Sequence, residues 1–369
     1  MLSKAKKIFA IQILICLMMV ASPAFAYDLN EKMSIEGALT GVFQYGAFDV
    51  EGMDDTNKGV AAFDLGVNFH PSEKDEFQVT LSYAAGNALN GISPFSLAPY
   101  ADDLEDDLQN INGSNRGYLL EAWYKHKLTV SENASLGLTG GIIDGTAYID
   151  DNNFANDETG QFMNDIFVNN TLANLPSYEL GGAAEFEISK ISVRGIVMNT
   201  RNESNENSNY YALQIGYTLD IPMGEGNYRV YGFTTNKRFQ NWDGTDEEKL
   251  SGFGASIDQE LSEIIGVFVR AGWQDDDAVV DHTALYSGGV NIKGKLWGRE
   301  DDNAGVGYAY LKGADDGDID NTTAVEAYAK VKTSEMTDVT FDVQYIKDKM
   351  ENTDDNEGVI YGIRLNACF

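Results

Sequence analysis

The sequence lacks most of what a catalytic or disulfide-stabilised protein would show. Its 369 residues hold only three His (His70, His126 and His282), two Cys and six Pro. No G-x-S-x-G, H-E-x-x-H or P-loop pattern occurs. An enzyme built on a barrel needs a Ser/His or Asp/His cluster at one rim, and the three His fall on separate segments. Cys16 lies in the leader described below, so Cys368 alone remains and no internal disulfide can form. Basic residues are scarce, 26 against 58 acids, which excludes nucleic acid as a partner by repulsion. Beyond residue 26 there is no run of 18 apolar residues. That excludes a membrane-spanning helix. It does not exclude spanning strands, which need about 9–11 residues with only alternate ones facing lipid.

What is present begins with a leader. Lys4, Lys6 and Lys7 precede an apolar run, Ile8 to Val20, and Ala24-Phe25-Ala26 follows. This reads as a cleaved signal peptide over 1–26. The run is shorter than the roughly 20 residues that span a bilayer. Cleavage removes three Lys and no acid, leaving 23 bases against 58 acids, a net charge of −35. The remaining 27–369 is long enough for a single large barrel domain. Gly (37), Tyr (19) and Phe (18) are abundant, which suits long strands in close pairing.

Period-two alternation runs through the chain. Ile35, Gly37, Leu39, Gly41, Phe43 and Tyr45 alternate with Glu36, Thr40 and Gln44. Phe77, Val79, Leu81 and Tyr83 alternate with Gln78, Thr80 and Ser82. Successive strand side chains point to opposite faces, so each such segment has one oily and one polar face. Sixteen segments are counted, at roughly 34–46, 58–69, 76–86, 118–128, 134–143, 178–188, 190–198, 209–219, 227–236, 249–258, 264–273, 283–293, 303–312, 323–332, 336–347 and 357–369. The odd-numbered connections are long, among them 87–117 and 144–177, and the even-numbered ones mostly short. The turn 294–302 is the exception. Such parity is the signature of outer-membrane barrels. A soluble sandwich or propeller has no reason to keep it, and would not turn its oily faces outward. Tyr83, Tyr217, Trp273, Tyr310 and Tyr345 near strand ends fit an interfacial girdle. The expected fold is all-β: a closed antiparallel transmembrane β-barrel of about 16 strands, wide enough for an aqueous channel. The expected location is the bacterial outer membrane. The last strand, VIYGIRLNACF, alternates up to Phe369 and carries Arg364 and Asn366 on its polar side. An aromatic terminus of this kind resembles the signal read by the outer-membrane assembly machinery.

Residues 144–170, DGTAYIDDNNFANDETGQFMNDIFVNN, resemble the hallmark of the OprB family of carbohydrate-selective porins. SGFGASIDQELSEIIGVFVRAGWQDDD (251–277), GGVNIKGKLWGREDDNAGVGYAYLKG (288–313) and the ending GVIYGIRLNACF resemble it in the same order. The resemblance implies passive diffusion of glucose and other sugars through a pore narrowed by inward-folded loops. The strongly acidic balance keeps a second reading open, a general cation-preferring pore. A plugged adhesin is a third. A passive pore calls for no cofactor and no metal. Its partners would be sugars or cations, outer-membrane lipid and lipopolysaccharide.

The loop 144–177 is the constriction candidate, because a loop this long that retains Tyr148, Phe154, Phe162, Met163, Ile166 and Phe167 is not a disordered linker. The spacing of 162, 163, 166 and 167 predicts a short helix in this inward-folded loop. Asp157, Glu158 and Gln161 lie near its start, either capping it or touching solute. Strand phase places Leu120, Ala122 and Tyr124 toward lipid and Glu121, Trp123 and Lys125 toward the lumen. A Trp between opposite charges is what a sugar platform would look like. Arg194, Arg229 and Arg270 point inward by the same phase, either to pair with wall carboxylates or to meet solute. Asp102–Asp107, Asp275–Asp277 and Asp315–Asp320 make an acidic mouth that raises local cation concentration.

Overall fold

In a computed structural model the described residues are 27–101, 119–202 and 206–369. The expected signal peptide, 1–26, and the acids at 102–107 lie outside them. Sixteen antiparallel strands close into a barrel. They are β1 (Met33–Asp49), β2 (Thr56–Ser72), β3 (Asp75–Ala85), β4 (Leu119–Ser131), β5 (Ala134–Ile143), β6 (Glu179–Ile188), β7 (Ile191–Arg201), β8 (Asn207–Ile221), β9 (Gly224–Thr235), β10 (Ser251–Glu260), β11 (Ile265–Gln274), β12 (His282–Lys293), β13 (Asn303–Gly313), β14 (Ile319–Lys332), β15 (Thr337–Met350) and β16 (Asn356–Cys368). A short strand, Tyr27–Asn30, turns back onto the start of β1. Each strand pairs with its sequence neighbours, and β16 pairs with β1 from Glu357↔Asp49 to Cys368↔Ala38. The ring therefore has no open edge, the condition for a sheet to survive in hydrocarbon.

The outer face is oily. Phe43, Phe77, Val269, Phe341, Tyr361 and Leu365 are exposed on it, while their strand neighbours point into the barrel. Aromatic rows band this face. Phe77 packs between Phe69 and Tyr124 with ring centroids 6.2 and 4.7 Å apart. Trp273 stacks on Phe253 at 5.1 Å and meets Tyr286 edge-on. At the seam, Phe369 N–H donates to Gly37 O at 2.8 Å and Gly37 N–H returns a bond to Phe369 O at 2.9 Å. The terminal aromatic residue thus completes the ring.

The predicted parity of the connections holds. The longest loops follow odd-numbered strands, although those after β7, β13 and β15 shrink to five residues each, and tight turns such as Ser189–Lys190 and Pro222–Met223 follow most even ones. The long turn before β13 contains a 3-10 segment, Gly294–Trp297. One phase expectation fails. The β3–β4 register shifts between Thr80 and Leu81, so that Thr80 faces Glu121 but Leu81 faces Leu119. This bulge turns Leu120 from the lipid face to the interior, where it is buried beside Ala62. Ala122 and Tyr124 stay on the lipid face, opposite Val79 and Phe77.

Gly141 on β5 shows how tightly this wall is built. Its φ is +145°, and a Cβ there would lie 2.2 Å from Ala122 O and 2.7 Å from Trp123 Cα. Replacing it with Ala should cost about 1–3 kcal/mol through backbone strain, and lower the urea midpoint of the folded barrel followed by Trp fluorescence. Gly140, whose Cβ would meet nothing within 4 Å, is the matched control: Gly140→Ala should leave the midpoint almost unchanged.

Candidate functional site

The loop between β5 and β6 enters the barrel rather than standing above it. Its apolar side chains drive this. Phe162, Met163, Ile166 and Phe167 have no exposed surface, and burying each is worth roughly 1.5–3 kcal/mol relative to water. The wall makes room for them with Gly305 and Gly307 on β13. A Cβ at Gly307 would lie 2.7 Å from the Phe167 ring and 3.2 Å from that of Phe162. Phe162 packs against Phe167, Phe268 and Tyr328 with centroids 5.0, 5.6 and 4.9 Å apart.

The helix expected in this loop is a single turn, Asp165–Val168. Its start is not where the acids of the FANDET segment lie. Asn164 is its cap, accepting from Ile166 N–H at 3.1 Å. Asp157 instead closes its own turn, its Oδ1 accepting from the N–H groups of Thr159 and Gly160, both at 2.9 Å. A longer helix is prevented because Glu326 takes the N–H of Asn164 at 3.0 Å, and that of Met163 as well. These amides would otherwise lie inside it.

Loop backbone buried in a barrel must find partners, and the wall supplies them. Arg364 donates to the carbonyls of Glu158 and Gln161, the latter at 3.1 Å. Asn366 donates to Thr159 O at 2.6 Å. Gln214 accepts from Asp150 N–H at 2.8 Å and donates to Tyr148 O at 3.3 Å. The preceding loop, 86–101, is held alike. Gln44 and Gln344 both donate to Pro99 O at 2.8 Å, and Asp348 accepts from Ser96 N–H at 2.7 Å. The two loops are joined by Ala101 N–H to Met163 O at 2.7 Å.

The sequence-nominated residues divide between covered and uncovered wall. Arg270 faces inward but is wholly covered. It pairs with Asp150 at 2.9 Å and donates to Phe167 O and Asp150 O, each at 3.0 Å. Arg229 is nearly covered, bridging Asp151 at 3.0 Å and Asp258 at 2.6 Å. Arg194 pairs with the other Asp151 oxygen at 3.1 Å and remains partly exposed. Gln161 braces the loop internally, accepting from Asn156 N–H at 2.8 Å and donating to Asn153 O at 3.0 Å. Glu121, Trp123 and Lys125 stay partly exposed, with Lys125 2.5 Å from Glu185.

This division follows the strands. Inward polar groups on β8–β16, among them Gln214, Ser256, Asp258, Glu326, Gln344 and Arg364, are buried beneath the loops. Their counterparts on β2–β7 are mixed: Gln78, Ser82, Thr139 and Glu179 are buried, whereas Asp64, Thr80, Glu121, Lys125, Glu185 and Arg194 are only partly covered. The loops fill one side of the barrel and leave a polar lane along the other. Glu326, Gln344, Arg364 and Asn366 are the functional wall residues that candidate selection passed over. The last strand had shown Arg364 and Asn366 as inward polar groups. Glu326 was signalled only by its isolation between Ala324 and Tyr328 on the inward face.

A model of the family described as carbohydrate-selective porin, OprB family, matches residues 76–369. An uncharacterized protein of Aquifex aeolicus (strain VF5) is 32% identical over 296 residues, covering 79% of this chain and 83% of that protein. The high-pH structure of Pseudomonas putida OprB superposes with a TM-score of 0.72 at 15% identity, covering 92% of this chain and 94% of that one. The outer-membrane channel DcaP of Acinetobacter baumannii gives 0.54 at 10% identity, covering 94% and 100%.

Two outcomes test the loop anchoring. Arg364→Ala frees the carbonyls of Glu158 and Gln161. Single-channel recordings should then show higher conductance and more open-state noise, while the folded barrel survives in detergent. The second is a pH dependence. Burial inside the barrel, with Asp157 adjacent, pushes Glu158 from 4.5 up to about 7. The seated loop then holds a proton that the released loop gives up between those values. Its hold is firm below pH 4.5, weakens as the pH rises to about 7 and is level above. Conductance noise should rise across that window in the native channel, and Glu158→Gln should abolish the slope.

Proposed function

The chain belongs to the OprB family of carbohydrate-selective porins and resides in the bacterial outer membrane, and from that premise we propose that it passes small saccharides by passive diffusion along the lane on β2–β7. The observation that carries this reading is the state of the charges there. Lys125 is closed on Glu185, and Arg194 on Asp151. Two of the wall's inward cations are thus already matched and exert a weak pull on free anions. Trp123, half-buried between Glu121 and Lys125 along β4, offers a ring face to sugar C–H groups, and the flanking polar groups exchange hydrogen bonds with hydroxyls as hydration is stripped. Each contact is single and weak, so the solute can leave. No covalent step is required of any residue. The oily band seats in outer-membrane lipid, the acidic loops meet lipopolysaccharide, and Phe369 presents the terminal signal to the assembly machinery.

Asp157, Glu158 and Gln161 serve this function as loop braces that set the lane's width. Arg229 and Arg270 serve it by holding the loop through Asp150, Asp151 and Asp258. The competing reading, a general cation-preferring pore, draws on the acidic outer loops. Planar-bilayer recording separates the two. Millimolar glucose should produce current block in the native channel. Trp123→Ala should weaken that block about fivefold, as loss of an aromatic contact of ~1 kcal/mol implies. Strong cation selectivity with no block by any sugar would replace this proposal with the cation pore.

A further inference from the structure

The uncovered lane is not electrically balanced at its middle. Its cations at that level are closed in pairs, Lys125 with Glu185 and Arg194 with Asp151. Two carboxylates of the same wall have no cation against them among the described residues. Glu121 Oε2 accepts from Thr80 Oγ1 at 3.3 Å, and Asp64 Oδ1 accepts from the Ser82 hydroxyl. Asp144 and Glu36 add their negative charge to the surroundings of Glu121. Lys127, three inward positions beyond Glu121 along β4, is exposed and without an ion pair among the described residues, so the negative zone is confined to the level of Glu121 and Trp123.

A second feature coincides with it. Trp123 is the next inward residue after Glu121, about 6.5 Å along the strand. Gly141, with its positive φ and no room for a Cβ, packs directly against the Trp123 backbone. A partly exposed aromatic ring and a carboxyl group with no cation partner among the described residues thus stand side by side on the wall, at a spacing that one pyranose ring bridges. The ring's C–H side suits the indole, and the carboxylate suits a donor or a positive substituent.

We infer that Glu121, beside Trp123, sets a charge order among saccharides: amino sugars pass fastest, neutral hexoses next and hexuronates slowest. This rests on the saccharide-channel reading and narrows it to a solute class. One unit charge acting at close range through a water-like medium amounts to a rate difference of about fivefold at each step.

The test uses the full chain in proteoliposomes at low salt and near-neutral pH, with uptake of radiolabelled glucosamine, glucose and glucuronate measured side by side. The native channel should take up glucosamine faster than glucose, and glucose faster than glucuronate, each by up to about fivefold, with the spread shrinking in high salt. Glu121→Gln should compress the order toward equality, Glu121→Lys should invert it, and Glu121→Asp should keep it. Bilayer conductance shows that each variant is an inserted channel. Equal uptake of the three sugars by the native protein overturns the inference without reference to any variant. An order that survives unchanged in a conducting Glu121→Gln channel overturns Glu121's role. Failure of glucose itself to enter would instead bring down the saccharide-channel reading beneath it.

Discussion

Every backbone amide and carbonyl that enters a bilayer must find its partner within the protein, because hydrocarbon offers none. The sixteen-strand ring meets that demand by closing β16 onto β1, and the remaining features of the molecule follow from closure. Pairing neighbours in sequence order leaves the chain free to reverse by tight turns at one end and to spend length in loops at the other. It also divides each strand into a side for lipid and a side for water, so composition alternates residue by residue rather than domain by domain.

The same demand recurs inside the barrel, with a different solution. Two loops enter the lumen and carry their own amides and carbonyls with them. These are met by side chains of the wall. Glu326 accepts, Arg364 and Asn366 donate, and Gln44, Gln214 and Gln344 serve the loops from three other strands. The interior polar residues of a pore are usually taken to exist for the solute. Here most of those on β8–β16 exist for the loop, and the solute is left the wall that the loop does not cover. Apolar burial supplies the drive and the polar clasps supply the register. Phe162 and Phe167 settle against Gly305 and Gly307, while Asn164 and Asp157 shape the turns between them.

Much of the barrel was legible in the sequence because a side-chain period of two is local and repeats sixteen times. Residues such as Phe43, Val269 and Leu365 declared their outward face by phase alone. Leu120 did not, since a bulge between β3 and β4 changes phase without changing composition. Arg270 and Glu121 were both legible as inward residues. That one is buried under a loop and the other is not depends on where residues 144–178 land, which is decided by partners more than a hundred positions away. The start of the loop helix was misplaced for a related reason. A run of Asn, Asp and Glu caps helices and closes turns with equal ease, and Glu326 on a distant strand decides between them.

The loop clasps also bear on the order of assembly. Glu326, Gln344, Arg364 and Asn366 belong to β14, β15 and β16, the last part of the chain to be made, yet they grip segments that precede them by 160 to 250 positions. Contacts so far apart in sequence form late, since their loop-closure entropy is lost before any bond compensates it. A nascent barrel that has its first dozen strands therefore possesses the obstructing segments and the clasps of Gln44, Gln214, Arg229 and Arg270, but not those of its last three strands. Narrowing of the channel is then the final event of maturation, and the hairpin that seals the ring is also the one that sets the aperture.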